Sequence, residues 1–106
     1  MTRVVLAVVA LLSASTWADE PTEAGRHAFA GEVEGVLALQ FPGERIQVAA
    51  KGKNATTLSV DTAQCDPGLV RRLRKALRED ALRVGFKRVE CWDHFRDNDK
   101  PISAAF

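Results

Sequence analysis

Cys65 and Cys91 are the only two thiols in the chain, 26 positions apart. Two chemistries are open to such a pair. A redox dithiol usually takes the form Cys-x-x-Cys, with its thiolate favoured by the start of a helix. Only the second half of that description fits, because Cys65 stands directly before a helical stretch. An even number of cysteines in an exported chain points instead to a structural disulfide. The spacing favours the disulfide, with Cys65 joined to Cys91.

Charge gathers between the two cysteines. Arg71, Arg72, Arg74, Lys75, Arg78 and Arg83 fall off the apolar stripe of that helix, and only Glu79 opposes them on the exposed arc. A face of this kind can bind phosphates, anionic lipid head groups or an acidic protein. Arg71, Arg74, Lys75 and Arg78 are the candidate contact residues. The plainer expectation is a solvated face whose charges are balanced elsewhere, including by pairing with acids of the first helix.

Further on, Asp93-His94-Phe95-Arg96-Asp97-Asn98-Asp99 contains ligand types suited to a cation. It lacks the glycine and the distal glutamate of a calcium loop, so no metal site or cofactor is assigned to it. His27 is too distant in sequence for the pattern to demand its pairing with His94. Nucleophilic catalysis needs a nucleophile, a base and an orienting group in mutual reach. Serines and histidines are few, no Gly-x-Ser-x-Gly stretch occurs, and no carboxylate pair stands out. Catalysis is therefore not expected.

The beginning of the chain sets the compartment. Arg3 precedes an unbroken apolar run, Val4 to Leu12, and small or polar residues lead to Ala18. These are the parts of a secretory signal peptide, with cleavage expected after Ala18. The run is much shorter than the roughly 20 apolar residues of a membrane-spanning helix. Cleavage would leave 88 residues with 14 basic and 14 acidic side chains. A neutral exported domain is a poor nucleic-acid partner. The alanine- and arginine-rich composition suits a bacterial source, so the expected location is the periplasm or the exterior.

The elements that would position these residues follow from periodicity. Phe29, Val33, Val36, Leu37 and Gln40–Phe41 recur at helical spacing, predicting a first helix from about Thr22 to Gln40. Gly31, Gly35 and Ala38 lie on its opposite side. Phe41-Pro42-Gly43 ends it. Arg45–Ala50 and Ala55–Asp61 then alternate in polarity around Lys51-Gly52-Lys53-Asn54, predicting an antiparallel hairpin. Asp66 and Pro67 suit the start of a second helix, with Leu69, Val70, Leu73, Ala76, Leu77, Ala81 and Val84 as its stripe. Asp80 interrupts that stripe, Leu82 lies outside it, and Gly85 provides a stop. Phe86–Trp92 predicts a third strand, with Val89 and Cys91 turned inward.

The expected fold is α+β: a two-layer sandwich in the order helix-strand-strand-helix-strand, its three-stranded sheet carrying both helices on one face. The third strand should run parallel to the second. The expected division is a signal peptide over 1–18, one domain over 19–92 and a polar tail over 93–106. This order of elements also occurs in small envelope modules that bind or assemble, but order speaks to fold and not to function. The functional expectation is a non-catalytic secreted or periplasmic domain that binds a protein or an anionic envelope component. A small inhibitor or immunity protein is a special case of this, and a redox factor is the remaining alternative.

Overall fold

The computed structural model describes residues 20–93 and 100–106. The expected signal peptide lies outside the described residues. So does most of the Asp93–Asp99 segment, including His94.

Helix α1 (Glu23–Gln40) begins at Thr22, whose hydroxyl accepts the Gly25 N–H at 3.0 Å. That bond satisfies one of the amides left free in a first helical turn. Its buried side carries Phe29, Ala30, Val33 and Leu37 together with Arg26, while Gly31, Gly35 and Ala38 are exposed. A Cβ at Gly31 or Gly35 would meet nothing within 4 Å.

Strands β1 (Ile46–Lys51) and β2 (Thr57–Thr62) form the expected antiparallel hairpin, with Val48 opposite Val60. The connection is longer than the short turn expected from sequence. It holds a 3-10 turn (Lys53–Ala55) in which Asn54 and Ala55 both take positive φ, 59° and 56°.

Helix α2 (Pro67–Arg83) starts at Asp66, whose Oδ1 accepts the Leu69 N–H at 2.6 Å. It ends at Gly85 (φ 99°), where the Gly85 N–H reaches the Leu82 carbonyl and the Phe86 N–H reaches that of Ala81. This is the Schellman arrangement, which requires a left-handed residue that glycine supplies without a Cβ clash. Strand β3 (Arg88–Trp92) then pairs parallel to β2, with Cys91 beside Val60.

The fold is α+β, as expected, but among the described residues the sheet has four strands in the order β1-β2-β3-β4. The fourth, β4 (Ile102–Ala105), pairs antiparallel to β3 and lies in the segment expected to be a polar tail. That expectation is corrected at 102–106. Ile102 and Ala104 pack against the core and Phe106 is itself part of it, so an apolar alternation of period two gains a buried face.

The core is one cluster. Leu58, Val60, Val89 and Cys91 face the buried sides of both helices, and the Phe29 and Phe86 rings meet at 5.6 Å. Helix α1 lies against β1, and α2 against β3 and β4. Asp80, which interrupts the stripe of α2, is buried and bonded to Arg83, whereas Leu82 is exposed.

Candidate anion-binding face on the second helix

The basic side chains depend on how α2 is held. At its N-terminal end Cys65 is joined to Cys91 in a disulfide, with the Cα atoms 5.7 Å apart. Cys91 is 0% exposed and Cys65 half-buried. A pair so placed cross-links the approach to α2 to the interior strand β3. Exchange with an external thiol requires access to the attacked sulfur, and the burial of Cys91 closes that side of the bond to it.

The C-terminal end is held by Arg26, only 8% exposed. Its Nη1 donates to the Val84 carbonyl at 3.1 Å, and its Nε and Nη2 donate to the Asn54 carbonyl at 3.2 and 2.9 Å. A guanidinium thus joins α1, the 3-10 turn and the end of α2. It also sits at the negative end of the α2 dipole, where a cation is favoured. The sequence reading passed over Arg26, although its spacing to Phe29, Ala30 and Val33 places it on the buried stripe.

Between these anchors α2 presents its cations. Arg71, Arg74, Lys75 and Arg78 are exposed at spacings of three and four, which puts them on one side of the helix. They border an open depression of about 600 Å³ along the helix surface. Every residue that lines it comes from α2, so it is a groove on one helix and not an enclosed pocket. Arg72 is exposed on a neighbouring arc.

The helix holds six basic residues against Glu79 and Asp80. Asp80 is occupied by Arg83, leaving Glu79 as the exposed acid. One part of the plainer expectation was that these cations pair with acids of the first helix. Among the described residues no ion pair joins the two helices, and Glu34 of α1 accepts the Val48 N–H at 2.9 Å instead. Arg74 differs from its neighbours, because its Nε donates to the Ala105 carbonyl of β4 at 2.6 Å. No hydrogen bond or ion pair within the described residues involves Arg71, Lys75 or Arg78.

Among the described residues, no helix is long and apolar enough to cross a membrane. No protein-family model matches the chain, and neither does any curated protein or solved structure.

Proposed function

We propose that the protein is a non-catalytic exported domain that binds an acidic protein or anionic envelope component through the Arg71–Lys75–Arg78 side of α2. The observation that carries this reading is the concentration of unpaired positive charge on a helix fixed at both ends. An exported chain with no net charge gains nothing in net charge from gathering its cations on one face, whereas a ligand of opposite sign is attracted by such a field. The disulfide is consistent with an oxidising location outside the cytoplasm. An inhibitor or immunity protein would use the same face toward a secreted enzyme.

The test is capture from envelope extract by wild type and by an Arg71→Glu/Arg78→Glu variant, at low and at moderate salt. Arg74 is left intact because it also bonds β4. Captured material should be lost from the variant and should weaken steeply with salt, since exposed charges are screened beyond about 8 Å at physiological ionic strength. Equal, salt-insensitive capture by both proteins refutes the assignment.

A further inference from the structure

Among the described residues the sheet ends in two edge strands, β1 and β4, and the protein treats them differently. On β1 the outward Val48 N–H is taken by the carboxylate of Glu34, and α1 lies against the strand. On β4 the bond from the Phe106 N–H to the Lys87 carbonyl fixes the alternation of the ladder. Ile102, Ala104 and Phe106 turn their main-chain groups toward β3, so Ser103 and Ala105 turn theirs outward. Both side chains are small and exposed. Of these outward groups, the Ala105 carbonyl is bonded, and its donor is the exposed Arg74. Pro101, the preceding residue of the same parity, has no N–H to offer.

An edge of this kind accepts another strand through main-chain hydrogen bonds. We propose that the β4 edge takes an extended acidic segment of a partner protein as an added strand, an inference that rests on the binding role proposed for α2. The added strand pairs with the Ser103 and Ala105 main-chain groups. Its own N–H replaces the Arg74 donor at the Ala105 carbonyl, which frees the guanidinium to meet a carboxylate of the partner. The bond from Arg74 to Ala105 places the basic side of α2 directly beside this edge. That placement selects the occupant. A second copy pairing edge to edge would bring two strongly basic helices together, whereas an acidic segment is drawn in. With only two outward residues in the strand, main-chain pairing sets the register and charge supplies much of the attraction.

The test uses two labelled ten-residue peptides of equal charge, one alternating valine with glutamate and one alternating proline with glutamate. Proline cannot supply the N–H groups of an added strand. The valine peptide should bind wild type about tenfold more tightly than the proline peptide, the factor expected for a main-chain bond or two. Its binding should also slow hydrogen exchange at the Ser103 and Ala105 amides. Ser103→Pro, checked for folding by circular dichroism, should remove that preference while Arg71→Glu/Arg78→Glu removes both interactions. Equal affinity for the two peptides, or binding without protection of these amides, overturns strand addition and leaves the basic-face reading standing. Binding to phosphatidylglycerol vesicles with none to either peptide also overturns it, and directs the same face to a lipid surface. Absence of binding to peptides and vesicles alike counts against both readings.

Discussion

Replacing Arg26 by methionine keeps most of an aliphatic stem in place and removes the guanidinium. Three hydrogen bonds disappear, two to the Asn54 carbonyl and one to that of Val84. Bonds from a charged donor contribute about 1.5–3 kcal/mol each, and an unsatisfied buried group costs about 1–3 kcal/mol. Asn54 is exposed, so water can replace the donors there, whereas Val84 is buried. Counting the Val84 bond in full and Asn54 in part gives an expected loss of about 2–4 kcal/mol. That is a large share of the 5–15 kcal/mol typical of a folded domain. For a domain of this size the melting temperature should fall by at least about 8 °C.

The assay is urea unfolding followed by circular dichroism, with an unchanged dependence on denaturant confirming that the same structure is lost. Arg26→Lys should fall between the two, because one ammonium cannot span both carbonyls. Gly85→Ala supplies an independent check. At φ 99° an alanine is strained, and its Cβ would lie 2.6 Å from Arg26 Nη1. The strained backbone alone costs about 1–3 kcal/mol. In the Arg26→Met background the guanidinium contact is gone and the backbone cost remains, so the double variant should lose less than the sum by about 0.5 kcal/mol or more. A loss below about 0.5 kcal/mol for Arg26→Met, or strict additivity with Gly85→Ala, refutes the bridge as described.

Oxidised protein should show no free thiol under denaturing conditions, and Cys91→Ser should lower stability by about 2–5 kcal/mol in denaturant titrations. Phe106→Ala should cost about 3 kcal/mol by the same measurement, a loss that a polar tail would not produce. Gly31→Ala and Gly35→Ala should each raise stability by about 0.4–1 kcal/mol, since both sites are helical with open space at the Cβ position. Exported protein should begin at Asp19, which N-terminal sequencing would show; retention of the Val4–Leu12 run in the exported form would contradict it.

Periodicity made most of the fold legible. The apolar stripes of α1 and α2 and the alternation of β1 and β2 are each strong enough to define an element without its neighbours. Gly85 and Asp66 mark helix ends through local chemistry that survives in any context. The fourth strand carried a weaker signal. Ile102, Ala104 and Phe106 do alternate, but two alanines and a polar approach give little β preference, so the strand exists through its pairing with β3. Arg26 was obscured for the opposite reason. A cation in the first turns of a helix ordinarily reaches solvent. Its burial depends on Val84 and Asn54, which are 58 and 28 positions away and become neighbours only when the sheet forms.

The basic residues of α2 divide by what occupies them. Arg83 is matched to Asp80, and Arg74 is partly matched to the end of β4. Once these are set aside, Arg71, Lys75 and Arg78 have no structural task among the described residues, and they stand on the same side of the same helix. A surface arranged only for solubility mixes the two signs, because segregated charge repels itself along the helix. Here that repulsion is held in place by covalent and polar anchors. The disulfide fixes the start of α2 and Arg26 fixes its end. A helix held in this way presents its cations without having to order them on binding, and ordering is one of the principal costs of association. The two anchors therefore contribute to the proposed binding face as directly as the side chains that line it.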